Sequence, residues 1–286
     1  MSELAELAAE QEWLDDAGRT IRGAIRGLFE GESGRTVKDV LNGVWLGHPL
    51  HPVLTDLPIG AWTMAEVFDA LDSTNGGRRY EDAARVCINV GLVGAAAAAV
   101  TGLTDWADTG KGDRRVGLMH GLLNVTATGL FLTSTLLRRR RRTGAATGIS
   151  AAGYAFVMAG AYLGGALVYN RRLGTDHAVQ GDAPDGFART IRLDDIRDGD
   201  TRKVTVGEAE VVLIRQADTV CALAERCAHR GGPLSEGEVR DGTIICPWHG
   251  SQFALSDGHV VHGPSTYDQP CYATRISGGF VEVKIG

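Results

Sequence analysis

Three long apolar runs occupy the middle of this 286-residue chain and constrain its fold more than any other feature. They cover residues 86–104, 116–137 and 144–170, and none of them contains Asp, Glu, Lys or Arg. A helix needs about 20 residues, most of them apolar, to cross the hydrocarbon core of a bilayer. The runs therefore predict three transmembrane helices.

A fourth, weaker run covers residues 53–71 and is interrupted by Asp56, Glu66 and Asp69. Its length and its short connection to the next run favour a fourth span. Ionisable side chains at membrane depth are costly and usually face the interior of a helical bundle. We therefore predict a four-helix transmembrane bundle with both ends on the same side of the membrane.

The distribution of basic residues indicates how this bundle is oriented. Basic residues in short loops tend to stay in the cytoplasm, and the run RRRRR at 138–142 joins the third and fourth predicted spans. More arginines lie between the first and second spans, which favours chain termini outside the cytoplasm. A basic cluster at 111–115 argues for the opposite orientation, so both sides stay open.

The N-terminal residues are acidic and lack the order of basic, apolar and small residues that defines a signal peptide. Apolar residues recur at roughly helical spacing between positions 2 and 29. This periodicity predicts one amphipathic helix. Such a helix could lie on the membrane surface or pack against the protein.

The sequence changes character after residue 190. Short apolar alternations separated by Gly and Asp replace the long runs, which is typical of short antiparallel strands bounded by turns. We predict a small β domain joined to the last span by a linker at 171–186. This part is acidic, and the whole chain has a net charge of -6. We therefore expect no binding to the phosphate backbone of nucleic acids.

Two pairs of metal-binding residue types stand in the predicted β domain. Cys227 and His229 form a Cys-x-His pair, and Cys246 and His249 form a Cys-x-x-His pair. Structural zinc also accepts two Cys and two His, but its common patterns pair Cys with Cys and His with His. One thiolate and one imidazole from each loop suit a two-iron, two-sulfur cluster, in which one iron takes both Cys and the other both His.

These loops resemble the cluster-binding loops of the Rieske iron-sulfur family. CAHRGGPL at 227–234 and CPWHGSQF at 246–253 stand at the positions of the two ligand loops. HGPS at 262–265 is similar to the Gly-Pro segment of the family's third, covering loop. The resemblance covers roughly residues 186–286 and rests on both ligand pairs, their spacing and the covering loop.

The resemblance implies a [2Fe-2S] cluster whose buried iron is held by Cys227 and Cys246 and whose outer iron is held by His229 and His249. Two imidazoles in place of two thiolates raise the potential relative to all-Cys ferredoxins. No further segment resembles the catalytic domain of a Rieske oxygenase, which needs two His and a carboxylate around a mononuclear iron. We therefore expect an electron carrier and assign no catalytic residue.

Two departures from the family pattern bear on the potential. Rieske proteins of quinol-oxidising complexes carry an extra Cys in each loop, whereas Gly232 and Trp248 stand at those places here, so that no disulfide can form. Ser251 can donate a hydrogen bond towards the cluster, but Phe253 replaces the Tyr whose hydroxyl does so in high-potential members. We expect a potential near the low end of about -150 to +300 mV, as in the Rieske ferredoxins of oxygenase systems.

Three histidines accompany the predicted spans. His48 and His51, in the segment HPLHP, precede the first span, and His120 lies about one turn into the third. Residues 45–170 resemble a bacterial family of four-helix membrane domains with a His-Pro-x-His-Pro motif and no known activity. Facing helices of a bundle can build cofactor sites, so the histidines are candidates for binding haem b or a quinone. The alternative is a structural role, in which the His and Pro residues cap the helix and bond at the interface with Asp56 or Asp105 as partners.

Together these features predict an α+β multidomain protein with an N-terminal four-helix transmembrane bundle and a C-terminal all-β Rieske domain. The expected divisions are an amphipathic segment at 1–45, a membrane domain at 46–170, the linker, and a Rieske domain at 187–286. The favoured function is a membrane-anchored carrier of single electrons. The alternative is a membrane oxidoreductase whose bundle binds haem b or quinone. The expected partners are the lipid bilayer and a redox protein or quinone.

Overall fold

The computed structural model describes residues 3–141, 143–178 and 182–285. Several sequence predictions extend beyond these ranges. The segment predicted at 1–45 and the helix expected somewhere between positions 2 and 29 include undescribed residues, as do the basic run at Arg142, the linker at 179–181 and the Rieske domain at Gly286. The α-helices of the described residues are, in chain order, α1 Glu3–Glu10, α2 Leu14–Leu28, α3 Gly31–Asn42, α4 Leu50–Asn75, α5 Glu81–Ala107, α6 Lys111–Arg139 and α7 Thr143–Gly165.

The chain forms two compact units. The helical unit comprises Met1–Glu30 and Leu50–Leu173, and the β unit comprises Gly31–Pro49 and Gly174–Gly286. The residues before the membrane helices are therefore shared between the two units, whereas the sequence suggested one amphipathic segment over 1–45. The other domain boundaries expected from the sequence stay predictions.

The helical unit is built on α4, α5, α6 and α7. Helix α4 packs along α5 and helix α6 along α7, and contacts between these two pairs are sparser. Trp62 of α4 and Phe131 of α6 stack with ring centres 4.3 Å apart and join the pairs. A Cβ on Gly91 would lie only 2.2 Å from the indole Nε1 of Trp62. An aromatic stack against a glycine therefore fills the centre of the bundle.

Three helices of the described residues are long and apolar enough to cross a membrane. They are α5, α6 and the helix Thr143–Asn170, in which a π-helical turn at Ala166–Asn170 extends α7. Helix α4 has 26 residues but does not qualify, because acidic side chains interrupt its apolar run. The three apolar runs are thus confirmed as helices of membrane-spanning length, and the fourth span stays a prediction.

One acidic side chain of α4 is neutralised inside the bundle. Asp69 forms a salt bridge with Arg138 of α6, and Ser150 Oγ lies 3.3 Å from Asp69 Oδ2. The sequence placed Arg138 in a cytoplasmic loop with the rest of the basic run. Arg138 is not a loop residue, because it belongs to the last turn of α6 and is only 4% exposed. The cytoplasmic position of the basic run stays a prediction. A buried carboxylate needs such a partner, so Asp69 faces the interior.

The predicted N-terminal helix is interrupted. Helix α1 ends at Glu10 and α2 begins at Leu14. Arg115 donates from Nε and Nη2 to the two carboxylate oxygens of Asp15, over 2.7 Å each. These bonds hold the pKa of Asp15 well below its usual range. Of the two placements considered for this segment, α2 takes the one against the protein, since Leu14 is buried.

The β unit contains two antiparallel sheets. Its strands are β1 Ala188–Arg192, β2 Thr201–Val206, β3 Ala209–Gln216, β4 Thr219–Ala224, β5 Glu238–Arg240, β6 Thr243–Ile245, β7 Gln252–Ala254, β8 Val260–His262, β9 Cys271–Ser277 and β10 Phe280–Lys284. The larger sheet has the order β1-β10-β9-β4-β3-β2, and the smaller one the order β5-β6-β7-β8. The small β domain predicted after residue 190 is confirmed. Strands β1 and β5 were not foreseen, because neither shows a clear apolar alternation.

Candidate metal centre

Two loops of the β unit bring the four predicted ligands together. Cys227 and His229 lie between β4 and β5, and Cys246 and His249 lie between β6 and β7. The two thiols are within hydrogen-bonding reach of each other. The two imidazole centres are 5.0 Å apart, with ring planes at 90°. The fold therefore brings a thiol of one loop beside a thiol of the other, and an imidazole of one loop beside an imidazole of the other.

Each of the two loops has an equivalent backbone hydrogen bond at its cysteine. Gly231 N donates to Cys227 O over 2.7 Å, and Gly250 N donates to Cys246 O over 3.0 Å. Both glycines have positive φ, 72° and 79°, a conformation that costs a residue with a Cβ more than it costs glycine. A Gly four residues after each Cys is thus a further sequence signal for these paired loops.

The cysteines and histidines differ in exposure. Cys227 and Cys246 are 1% and 3% exposed and belong to the hydrophobic core of the β unit. His229 and His249 are half-buried. The two cysteines therefore lie deeper in the β unit than the two histidines.

The protonation states of the donors follow from their surroundings. The Cys227 thiol donates to Cys246 and lowers the pKa of Cys246 to about 7, although burial opposes this. The same hydrogen bond, together with burial, raises the pKa of Cys227 well above its ordinary value. Burial lowers the pKa of His229 well below its ordinary value. Metal ligands must be thiolate and neutral imidazole, so Cys246 and His229 are close to the forms that bind a metal.

A third loop, between β8 and β9, contacts the second ligand loop. Ser265 N donates to Ser251 Oγ over 3.0 Å, and both serines are fully buried. Because Oγ accepts this bond, its own hydrogen remains to be donated elsewhere. Ser251 O also accepts from Cys246 N over 2.8 Å. This position fits the donor role towards a cluster that the sequence resemblance implies for Ser251.

Sequence reasoning missed Gln269, which fixes the first ligand loop from inside the core. Its amide oxygen accepts from Ala228 N over 2.9 Å, and its amide nitrogen donates to Ala224 O and Arg226 O over 2.8 Å each. The residue is 1% exposed. These bonds set the backbone beside Cys227. A single Gln before a strand carries no motif, so the sequence held no signal for this role.

Helix α3 adds a second contact that was not foreseen. Asp39 Oδ2 lies 2.8 Å from His262 Nδ1, and Asp39 Oδ1 accepts from Gly263 N over 2.9 Å. Both partners belong to the segment predicted as the covering loop. Asp39, which precedes the membrane helices in sequence, therefore holds the covering loop by two hydrogen bonds. The separation along the chain hid this contact from sequence analysis.

Gly232 and Trp248 stand at the two positions where Rieske proteins of quinol-oxidising complexes carry the cysteines of a disulfide. The described cysteines are all free. A Cβ on Gly232 would lie 3.0 Å from both Cys246 Sγ and Trp248 Cγ. The indole of Trp248 is 56% exposed and lies beside His249, with ring centres 6.4 Å apart. The site therefore carries an aromatic surface next to one of its imidazoles.

The structure divides the three histidines that were grouped with the membrane spans. His51 and His120 lie in the helical unit with ring centres 6.3 Å apart, whereas His48 belongs to the β unit and is exposed. His51 Nδ1 is 2.8 Å from Ala98 O, and His120 Nδ1 is 2.8 Å from Gly160 O. The partners of the two Nδ1 atoms are therefore helix carbonyls.

The donor set of the β unit fits a two-iron cluster better than a single zinc ion. The two thiols lie together in the core, and the two imidazoles lie together nearer the surface. Structural zinc requires four ligands around one ion. In a Rieske-type cluster each iron takes only two protein ligands, which agrees with two thiols at the core end and two imidazoles at the surface end.

Comparisons with known proteins identify both parts of the chain. Residues 47–177 match the family described as a predicted membrane protein (DUF2231), and residues 187–273 match the Rieske [2Fe-2S] domain. The anthranilate 1,2-dioxygenase ferredoxin subunit of Burkholderia cepacia is 30% identical over 94 residues, which are 33% of this chain and 87% of that protein.

Other relatives likewise match about a third of this chain. Apoptosis-inducing factor 3 of Homo sapiens is 32% identical over 93 residues, which are 32% of this chain but only 15% of that protein. A solved complex of reduced oxygenase and oxidized ferredoxin in carbazole 1,9a-dioxygenase is 28% identical with a TM-score of 0.33, covering 34% of this chain and 92% of that chain. Both ligand loops fall within the stretch that matches the Rieske domain, and the ferredoxin subunit is matched over 87% of its length. The chain therefore belongs to the Rieske [2Fe-2S] family, with a DUF2231 membrane domain before its Rieske domain.

Proposed function

We propose that this protein is a membrane-anchored carrier of single electrons that uses a [2Fe-2S] cluster held by Cys227, Cys246, His229 and His249. The observation that carries the proposal is that two separate loops pair their buried thiols with each other and their half-buried imidazoles with each other. When bound, the cluster supplies reversible one-electron chemistry. The chain keeps the sulfur donors away from water and presents the imidazoles to a partner.

The ligand set is tested by exchanging cysteines in the full-length protein. Cys246→Ser should abolish the visible and electron paramagnetic resonance signals of the reduced cluster, because a core ligand is lost. Cys271→Ser is the matched control, since Cys271 is exposed and lies outside the ligand loops. Equal cluster signals in the two variants would contradict the assignment.

The environment of the cluster supports a low potential within the Rieske range. Ser251 Oγ accepts from Ser265 N and keeps its own hydrogen for a bond to the cluster, and Phe253 is fully buried without a hydroxyl. Fewer donors stabilise the extra electron of the reduced cluster less. We expect a midpoint potential nearer the lower limit of about -150 mV than the upper limit of about +300 mV. Phe253→Tyr should raise the potential, which a spectroelectrochemical titration would measure.

The membrane topology is part of the proposal. Helix α4 supplies a fourth span, which the inward-facing Asp69 and its salt bridge to Arg138 support. With four spans and the basic residues of the short loops in the cytoplasm, the Rieske domain lies on the extracytoplasmic side. A C-terminal tag should then be cleaved by protease added to intact cells. A tag that is cleaved only after lysis would reverse the orientation.

The redox partner is proposed to be a protein that docks beside Trp248. Exposed aromatic side chains often dominate interface energetics, and this indole lies next to His249. The dioxygenase ferredoxin among the relatives suggests an oxygenase-type acceptor, and a membrane quinone is the other candidate. Trp248→Ala should slow electron transfer to a protein acceptor while leaving the cluster spectrum unchanged. Unchanged transfer to a protein together with slowed transfer to a quinone would favour the quinone.

A second candidate function is a membrane oxidoreductase whose bundle itself binds haem b or a quinone. The observation that favours it is the contact between the His51 and His120 rings inside the helical unit. A second chromophore beside the cluster spectrum of the full-length protein would support this function. A cluster spectrum alone would leave the bundle as an anchor.

A further inference from the structure

We propose that His51 and His120 are the two protein ligands of a haem iron bound between the helix pairs of the membrane bundle. The inference deepens the second candidate function and concerns only the helical unit. It can therefore fail while the cluster assignment in the β unit holds.

The position of the pair in the bundle is the first argument. His51 lies in the first turn of α4, which packs on α5, and His120 lies in α6, which packs on α7. Contacts between these two helix pairs are sparser than contacts within them. The two imidazoles therefore face each other between the two helix pairs. A flat cofactor inserted there would disrupt fewer contacts than one inserted within either pair.

The hydrogen bonds of the rings are the second argument. Each Nδ1 lies 2.8 Å from a backbone carbonyl oxygen, of Ala98 for His51 and of Gly160 for His120. A carbonyl only accepts, so Nδ1 carries the hydrogen and Nε2 of the neutral ring carries the lone pair. Metal-binding histidines typically have this arrangement, in which the second ring nitrogen donates to a carbonyl and fixes the ring.

Asn124 does not occupy that lone pair. Its amide nitrogen is 3.3 Å from Nε2 and 3.4 Å from Nδ1 of His120, and it donates to His120 O over 2.8 Å. Nearly equal distances to both ring nitrogens place the amide over the face of the ring. The direction in which Nε2 would bind a metal lies in the ring plane, so the amide does not compete for it.

The ring separation is the third argument. Bonds from a metal to imidazole nitrogen are about 2.0–2.1 Å, so two imidazoles on opposite sides of one ion have ring centres about 6 Å apart. The observed separation of 6.3 Å, with ring planes at 88°, agrees with this spacing. It exceeds the 5.0 Å between the edge-to-face rings of His229 and His249.

The number of ligands points to haem and not to a bare ion. Within the described residues, no third His, Cys, Asp or Glu joins this pair to make a site for a metal ion. A bare zinc ion requires about four ligands, whereas haem iron takes four nitrogens from the macrocycle and needs at most two from the protein. The chain has no Cys-x-x-Cys-His motif, so the haem would be held without covalent attachment.

Glycines make room for both rings. A Cβ on Gly102 of α5 would lie 2.8 Å from Cε1 and Nδ1 of His51, and a Cβ on Gly164 would lie 3.1 Å from Cε1 of His120. Each imidazole therefore packs closely against the backbone of a neighbouring helix. This packing fixes the rings independently of any cofactor.

The test uses the full-length protein in detergent, titrated with haemin and analysed for haem content by the pyridine haemochrome method. Wild-type protein should bind one haem per chain and show the sharp bands of six-coordinate low-spin haem on reduction. His51→Ala and His120→Ala should each weaken haemin binding at least tenfold. His48→Ala is the matched control and should bind like the wild type.

A conservative variant separates ligation from folding. His120→Met should keep the haem and raise its potential, since Met/His ligation does so in cytochromes. An unchanged cluster spectrum in every variant shows that the protein remains intact. Wild-type protein with its cluster but without haem binding, binding that survives the double variant His51→Ala/His120→Ala, or stoichiometric zinc or copper in place of haem would each overturn the proposal.

Discussion

The two units of this molecule each contain a pair of perpendicular histidine rings. In the β unit, His229 and His249 lie on loops with ring centres 5.0 Å apart. In the helical unit, His51 and His120 lie on helices with ring centres 6.3 Å apart. Two buried cysteines accompany the first pair, whereas helix carbonyls surround the second. The two pairs therefore have similar ring arrangements but different neighbouring groups, thiols in one unit and backbone carbonyls in the other.

The pairs also differ in what holds them. The loop pair depends on glycine turns and on the buried amide of Gln269. The helix pair depends on the packing of the bundle, since each ring bonds to the backbone of a neighbouring helix. Changes that loosen one unit should thus leave the pair in the other unit intact, and this independence can be tested.

The largest expected effect is in the helical unit. Arg138→Leu leaves the buried Asp69 carboxylate without its salt-bridge partner, and breaking a buried pair in this way costs about 3–5 kcal/mol. The bundle should unfold at a markedly lower temperature in detergent, measured by circular dichroism, while the cluster absorbance at low temperature stays unchanged. The double variant Asp69→Leu/Arg138→Leu should recover most of the loss. Cluster loss in the single variant at temperatures where the bundle is folded would contradict the independence of the units.

The matching change in the β unit is Gln269→Leu. It removes three hydrogen bonds and leaves buried backbone groups unsatisfied, at a cost of about 2–3 kcal/mol. We expect reduced cluster occupancy, measured as iron per chain, with unchanged melting of the bundle helices. Gln216→Leu, at the partly exposed end of β3, is the control. Full iron occupancy in Gln269→Leu would show that this amide does not hold the ligand loop.

A smaller effect is expected from Asp39→Asn. The variant keeps an acceptor for Gly263 N but loses the charge facing His262, so the covering loop should be less firmly held by about 1 kcal/mol. Faster proteolysis or hydrogen exchange of residues 262–266 would measure this loosening. Exchange rates equal to the wild type would indicate that α3 does not restrain the loop.

The smallest effect is a pH dependence at the start of the chain. Hydrogen bonds from Arg115 hold the pKa of Asp15 well below its usual value, so the ionised carboxylate stabilises the fold above the pKa of the unfolded chain. This stabilisation is lost as pH falls below about 4. The melting temperature of the wild type should therefore drop between pH 5 and pH 3 by more than that of Asp15→Asn. Equal drops would mean that the contact does not contribute.

The sequence alone predicted the parts of the molecule that depend on local chemistry. Charge-free runs had to become long helices, and the Cys and His spacing with its neighbouring motifs located both ligand loops. The sequence did not predict contacts between distant segments. Asp39 precedes the membrane domain in the chain, yet it contacts the covering loop, which follows that domain. Arg138 has the sequence context of a loop residue, and only the structure shows its salt bridge with Asp69. Gln269 carries no pattern at all, because its role comes only from the backbone groups that surround it.

Mössbauer spectroscopy of iron-enriched full-length protein distinguishes the centres that the β unit could hold. A Rieske cluster predicts two unlike iron sites in equal amounts, one with sulfur ligands only and one with nitrogen ligands, and one-electron reduction should change them unequally. His249→Cys should convert the nitrogen-bound site towards a sulfur-bound one and lower the potential. A protein that contains stoichiometric zinc and no iron, or iron in a single kind of site, would contradict a [2Fe-2S] cluster held by two cysteines and two histidines.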